Sequence, residues 1–247
     1  MMPEQRFFPF HGKMVNVFLV PLEKSFLLVD TPSSREQKSF AQFLDEKLDA
    51  KRPGVSHVLL THHHSDHVGL VGWMRERFPG LVLIAHDKEW PLLRGGKNHV
   101  GHTLNRRVAF LSRLISLNPR FAPVVPGEND IVLSGREATM DLNPLGFPGS
   151  IFFTPGHTRG SVSLLVENRD LLAGDLFMNW PLNFVGTNPF PFLVQDFTDL
   201  LNSYRILERT GVQRVFPAHG KPFSFARVKQ SLPRLEALAG KRSTGMA

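Results

Sequence analysis

Apolar positions along the chain follow two periods. In residues 14–30, MVNVFLVPLEKSFLLVD, β-branched and aromatic residues recur between breakers, which predicts two strands around the polar turn LEKS. The next stretch, TPSSREQKSFAQFLDEKLDA, changes to helical spacing, with Phe40, Phe43, Leu44 and Leu48 on one stripe and Ser33 or Ser34 as the expected cap. Strand-like VSHVLLTH (55–62), helical HVGLVGWMRERF (67–78) and strand-like LVLIAH (81–86) continue the alternation, which argues for helices packed on a sheet. Residues 88–128 break it. There RRVAFLSRLISL (106–117) has helical spacing, so the segment reads as a helical insert or lid. Further strands are predicted at 131–133, 138–142, 150–154, 161–166, 170–173 and 212–219, with helices near 197–210 and about 224–239 and a frayed STGMA tail. No repeat or linker divides the 247 residues, so one domain over 1–247 is expected.

Composition narrows the chemistry. There are no cysteines, which excludes disulfides and thiolate metal sites and leaves His, Asp and Glu as metal ligands. The opening MMPEQRFFPFHGKM lacks the apolar core of a signal peptide, and no run has the length of a membrane span, so a cytoplasmic location is expected. The net charge of +7 is scattered, with only RGGK (94–97), NRR (105–107) and GKRSTG (240–245) clustering. No dense phosphate-contacting track is present, which argues against nucleic acid as a partner.

The stretch LLTHHHSDHVGL (59–70) holds four histidines and an aspartate in six consecutive positions after an apolar run. Alternate side chains at a strand end point the same way, so His62 and His64 converge on one metal while His63 points elsewhere and is read as a dispensable non-ligand. Asp66 and His67, opening the next helix, can face a second metal. Three more candidates follow strand-like runs: His157 in FFTPGHTRGS, Asp175 in LLAGDLF and His219 in RVFPAHG. Such imidazole and carboxylate donors suit Zn, Mn or Fe. His99 and His102 have no carboxylate partner nearby and are read as lid or surface residues.

The ordered series THHHSDH, TPGHT, AGD and PAHG, with LLVDTP around Asp30, resembles the metallo-β-lactamase fold superfamily in its two-metal branch. That resemblance implies an α/β fold: a four-layer αβ/βα sandwich of two mixed sheets flanked by helices, with the metal site at one edge. It implies two divalent ions, with Zn favoured over Fe or Mn. His62, His64 and His157 would hold the first, Asp66, His67 and His219 the second, and Asp175 would bridge them. A hydroxide between the ions would be the nucleophile and Asp66 a proton shuttle, with Asp30 and Thr61 orienting ligands.

Departures from subfamily patterns refine the expectation. Asp175 stands where true β-lactamases of this fold have Cys or Ser. GDLFMN lacks the tyrosine that lactonases place after the bridging aspartate, and the flavodiiron pattern has Glu at the position of His64. The ligand set resembles glyoxalase II, but residues 220–247 are too few for the helical domain with which that enzyme grips glutathione. The resemblance therefore points to a glyoxalase II-like hydrolase of thioesters or esters, with a one-iron persulfide dioxygenase-like oxidoreductase and a phosphodiesterase or nuclease as alternatives. The aromatics Phe177, Trp180, Phe184, Phe190 and Phe192 after Asp175 could line an apolar pocket, with Trp90, Leu92 and Leu93 as an opposite wall, and Phe177, Trp180 and Phe184 are the candidate substrate contacts for a partly apolar small molecule. The same aromatics could instead pack the core or close a homodimer.

Overall fold

The structure, a computed structural model, describes residues 6–99, 101–103, 121–135, 139–167, 169–180 and 188–243, with side chains of the last helix described to residue 237. The predicted helix at 106–117 and the STGMA segment beyond Ser243 lie outside the described residues, as does Phe184.

The first sheet is built from β1 (Phe8–His11), β2 (Asn16–Pro21), β3 (Phe26–Val29), β4 (Val55–Leu59) and β5 (Val82–His86). After the short β6 (His102–Thr103), which pairs elsewhere, β7 (Ile131–Leu133) completes it in the order β1-β2-β3-β4-β5-β7. Pairing is antiparallel from β1 to β3 and parallel from β3 to β7. The second sheet begins with the meander β8 (Thr139–Asp141), β9 (Gly149–Phe153), β10 (Val162–Val166) and β11 (Asp170–Leu172). Two-residue strands β12 (Met178–Asn179) and β13 (Leu193–Val194) follow. Then β14 (Arg214–Phe216) joins β11 in parallel, β15 (His219–Gly220) pairs with β12, and β16 (Phe223–Ser224) forms the far edge of the second sheet.

Strand alternation explains the layers. Phe18, Val20, Leu27 and Val29 meet Ile151, Leu164 and Leu172 between the two sheets. Their neighbours Leu19 and Leu28 point to the opposite face, toward Phe40 and Leu44 of α1 (Gln37–Lys47). α2 (Ser65–Val68) is a single turn. The same outer face of the first sheet receives Val71 and Met74 of α3 (Val71–Arg77) and Leu93 of α4 (Trp90–Gly95). On the second sheet, Leu171 and Val215 pack against Leu200, Tyr204 and Leu207 of α5 (Phe197–Thr210) and Val228 and Leu235 of α6 (Ala226–Ser243). Both sheets are thus buried on two faces, which is why their strands read as nearly continuous apolar runs. The result is an α/β/β/α sandwich of two mixed sheets.

Three local expectations change. The helix over 67–78 is split into α2 and α3 around Gly69 and Leu70, where the chain passes so close to residues 32–34 that a Cβ on Gly69 would come within 2.8–2.9 Å of their backbone. Neither serine caps α1: a 3-10 turn over Ser34–Glu36 precedes it, and no side-chain capping bond forms. Strand β1, at the edge of the first sheet, went unpredicted because Pro9 interrupts its short apolar run.

Candidate metal centre

Strand direction gathers the polar residues. β9, β11 and β14 run the same way in the second sheet, so the loops after them, carrying His157, Asp175 and His219, emerge at one edge. The loop after β4, carrying His62 to His67, reaches the same edge, where the Val162 amide donates to the Thr61 carbonyl at 3.0 Å. The side chains of His62, His64, His157 and Asp175 form one group of converging donor atoms, and those of Asp66, His67 and His219 a second.

Each imidazole uses its outward nitrogen on a fixed partner. The Thr61 hydroxyl donates to Asp30 Oδ2 at 2.8 Å, so its oxygen accepts from His62 Nδ1 at 3.0 Å. His157 Nδ1 donates to the Leu193 carbonyl at 2.9 Å and His64 Nε2 to the His99 carbonyl at 3.3 Å. With those protons pointing outward, the inward nitrogens present lone pairs to one another: His62 Nε2 and His64 Nδ1 at 2.9 Å, His157 Nε2 and His64 Nδ1 at 3.1 Å. Lone pairs so arranged repel unless a cation stands among them.

The second group repeats the pattern. His67 Nδ1 donates to Asp30 Oδ2 at 2.8 Å and His219 Nδ1 to the Met14 carbonyl at 2.7 Å, leaving both Nε2 atoms facing inward. His67 Nε2 and Asp175 Oδ1 are buried with no hydrogen-bond partner. Buried polar atoms are rarely left so, and a metal ion would satisfy both. Asp175 spans the groups: Oδ2 lies 3.5 Å from His157 Nε2 and 3.9 Å from His62 Nε2, while Oδ1 lies 3.3 Å from the Nε2 atoms of His67 and His219. The residues present therefore fit divalent cations by donor type, proton direction and unsatisfied atoms.

Charge follows the same division. Burial, then the neighbouring rings, holds His62 and His64 well below the ordinary imidazole value, and burial lowers His157. Burial also opposes charge on His67 and His219, but the carboxylates outweigh it: Asp175 and Asp30 hold His67 well above its usual range, and Asp175 with Asp66 carries His219 to about 10. Burial pushes Asp66 and Asp175 upward, yet His67 and His219 hold both below the usual carboxyl range.

A family model described as the metallo-beta-lactamase superfamily matches residues 12–219. The chain belongs to the metallo-beta-lactamase superfamily. It is 28% identical over 230 residues to the probable metallo-hydrolase MJ0888 of Methanocaldococcus jannaschii, covering 88% of this chain and 96% of that one. It is 30% identical over 164 residues to the uncharacterized protein YobT of Bacillus subtilis, a match spanning 66% of this chain and 62% of YobT, less than two thirds of its length. A hydroxyacylglutathione hydrolase of Nitrobacter hamburgensis is 24% identical over 127 residues, covering 51% of this chain and 35% of that enzyme. Among solved structures, the archaeal superfamily protein ST1585 from Sulfolobus tokodaii superposes with a TM-score of 0.64 at 18% identity, over 94% of this chain and 86% of that one.

In this superfamily member the two groups open into a cavity of about 240 Å³ lined by Met14, Asn98, Met178, Trp180, Phe192 and Leu193 together with the polar cluster. Trp180 lies over His219, with ring centroids 5.0 Å apart and planes 21° from parallel. Phe177 is elsewhere: it is fully buried and stacked on Tyr204 at 4.7 Å, so it is a packing residue and not a substrate contact. β12 sends Met178 to the cavity and leaves Phe177 in the core under α5. Trp90 and Leu93, expected as an opposite wall, are residues of α4 buried in the core, and Leu92 is not among the residues lining the cavity. Phe192, one of the aromatics expected near an apolar pocket, lines the cavity, whereas Met14 and Asn98 were not singled out from sequence.

His63 lies outside both donor groups. It is fully buried, and both its amide and its Nδ1 bond to Glu89, a residue that sequence reasoning passed over. A lone glutamate in HDKEW has no spacing to mark it, and only the tertiary fold buries it.

Proposed function

We propose that this chain is a metal-dependent hydrolase with a two-ion centre that cleaves an ester or thioester carrying an apolar group. The observation that carries the reading is the Asp175 carboxylate, with one oxygen toward each donor group. His62, His64 and His157 would hold one ion, Asp66, His67 and His219 the other, and Asp175 both. Zn suits these donors, as do Fe and Mn. Bound there, such ions supply hydroxide at neutral pH and polarise the scissile carbonyl.

The chain's own groups do the rest. Asp66 lines the cavity and its side chain is 30% exposed, whereas Asp175 and His219 are 5% exposed, so Asp66 has the access to solvent that a proton shuttle needs. Asp30 and Thr61 hold the rings of His62 and His67 in the orientation that leaves their inner lone pairs free. Met14, Met178, Trp180, Phe192 and Leu193 give the substrate an apolar wall, and among the described residues lining the cavity there is no Lys or Arg. An anionic phosphodiester would find no counter-charge in that wall, which favours an uncharged acyl substrate over the phosphodiesterase alternative. The names of MJ0888 and of the hydroxyacylglutathione hydrolase support the same class of reaction.

Metal content per chain by elemental analysis, paired with turnover of p-nitrophenyl butyrate, an S-acyl thioester and bis(p-nitrophenyl) phosphate, tests the reading. Because the chain has no cysteine, thiol release can be followed with a thiol reagent without background from the protein. About two ions per chain with ester or thioester cleavage is expected. A single iron with oxygen consumption would move the assignment to the persulfide dioxygenase-like alternative, and cleavage of the phosphodiester alone to a phosphodiesterase.

A further inference from the structure

His63 faces none of the converging donor atoms around it. Glu89 Oε2 accepts from the His63 amide at 2.9 Å and pairs with its ring Nδ1. Glu89 Oε1 accepts from the Thr158 hydroxyl at 2.8 Å and the Gly160 amide at 2.7 Å. A Cβ on Gly160 would lie 2.5 Å from that oxygen, so only glycine lets the loop approach so closely. One buried carboxylate thus ties the loop of His62 and His64 to the loop of His157.

With Nδ1 donating to Glu89, the ring of His63 presents its acceptor lone pair at Nε2. That atom accepts from the His99 amide at 3.1 Å. The rim reached in this way borders the cavity. Asn98 lines it and is laced to the start of α2, accepting from the Ser65 amide at 3.0 Å and donating to the Ser65 hydroxyl at 3.2 Å. The His99 carbonyl accepts from His64 Nε2 at 3.3 Å and from Gln195 Nε2 at 3.0 Å. β6 then pairs with β13, next to Leu193, whose carbonyl orients His157.

We propose that His63 is a positioning residue, its ring fixed by Glu89 so that Nε2 clamps the 98–99 rim of the cavity onto the metal-binding loop. It touches neither the converging donor atoms nor the cavity. It sets how closely the rim sits over a bound substrate. Only this kinetic consequence rests on the hydrolase reading. The clamp itself can be measured without a substrate.

The test separates the two ring nitrogens. An asparagine amide reaches the Nδ1 position of an imidazole, and a glutamine amide reaches the Nε2 position. His63→Asn therefore keeps the bond to Glu89 and loses the acceptor for His99, whereas His63→Gln supplies that acceptor again. In His63→Asn, amide hydrogen exchange in the peptide containing His99 is expected to rise at least about tenfold with exchange in the core strands unchanged. Metal content should match the wild type, and KM for p-nitrophenyl butyrate should rise about fivefold while kcat moves less. His63→Gln should restore slow exchange and KM. Wild-type exchange in His63→Asn would reduce the ring to a space-filler and overturn the proposal. Loss of metal in both variants would overturn it too, by placing His63 in the support of the ligands. If none of the three probe substrates turns over, the hydrolase reading fails and the exchange experiment still decides the clamp.

Discussion

Asp30 Oδ2 accepts a 2.8 Å hydrogen bond from His67 Nδ1, and it does so from a left-handed backbone with φ 62°. Few residues other than glycine adopt that conformation, aspartate and asparagine being the best tolerated. The same carboxylate accepts from the Thr61 amide and hydroxyl, both at 2.8 Å, and the Thr61 hydroxyl in turn fixes His62. One side chain outside the donor groups therefore orients a ring in each.

Asp30→Ala should consequently weaken metal binding at both donor groups by about 10–100-fold, the range seen when the partners of ligating histidines are removed. Asp30→Asn keeps the backbone preference but leaves only one oxygen to accept, so it should fall between Asp30→Ala and the wild type. Competition with a chromogenic chelator measures the affinities, and equal values in all three proteins would contradict this role.

Asp175 supplies an electrostatic test that needs no turnover. In the metal-free protein Asp175 and Asp66 outweigh the effect of burial and carry His219 to about 10. Removing one negative charge in Asp175→Asn should bring His219 down toward its ordinary 6.5, as followed by NMR of the ring protons. The same variant should lose metal and turnover while its far-ultraviolet circular dichroism stays that of the wild type. Retained metal with full activity would remove Asp175 from the centre.

How far these features were legible depends on what made them. β2, β3 and β9 to β11 could be read because both faces of each sheet are buried, so their apolar runs stand out between breakers. β6, β12, β13 and β15 could not, since two residues carry no period, and their pairing follows from where the loops pack. The side chains that meet in the two donor groups follow strand-like runs or open the next helix, which marked them as candidates, while their division between two ions came from the family resemblance. Glu89 and Asn98 act through tertiary contacts and have no local signature. Phe177 and Trp180 are alike as composition, and only the path of the chain through β12 sends one to the core and the other to the cavity.

That last contrast predicts opposite phenotypes. Phe177→Ala should cost about 3–5 kcal/mol of stability, the range for a buried Phe replaced by Ala, with KM little changed for whatever fraction folds. Trp180→Ala should leave the urea midpoint nearer the wild type and raise KM for an apolar ester by about tenfold. Reversed effects would mean that the cavity wall has been assigned to the wrong aromatic.

Glu89 connects stability to pH. Burial pushes its carboxyl upward, but the hydrogen bond from His63, then those from Thr158 and Gly160, outweigh burial and hold it below its ordinary 4.5. A depressed carboxyl contributes its full stabilisation above the unfolded value and loses it as pH falls through the folded one. Glu89→Gln turns an amide group toward the His63 donors, at about 1–3 kcal/mol for each donor left stranded. The stability gap between wild type and Glu89→Gln should therefore be widest at neutral pH and shrink progressively below 4.5. Urea unfolding at a series of pH values measures it, and a gap that stays constant into acid would show that Glu89 acts without its charge.

Metal removal should be felt by the whole fold, because the inward lone pairs of His62, His64 and His157, at 2.9–3.3 Å from one another, have no hydrogen between them. A ligand that binds only the folded state at a hundred times its Kd adds about 2.7 kcal/mol. For a chain of this size each kcal/mol moves Tm by about 2–4 °C, so each ion should raise Tm by about 5–10 °C. Dialysis against a chelator should lower Tm by that amount for every ion lost, and returning Zn, Mn or Fe should restore it in steps that match the metal content. His62→Ala removes one of the opposed lone pairs, so the chelated variant should lie closer in Tm to the chelated wild type than the two metal-loaded proteins lie to each other. A Tm unmoved by chelation, with the metal shown to be gone, would mean that the imidazole cluster is held by the fold alone.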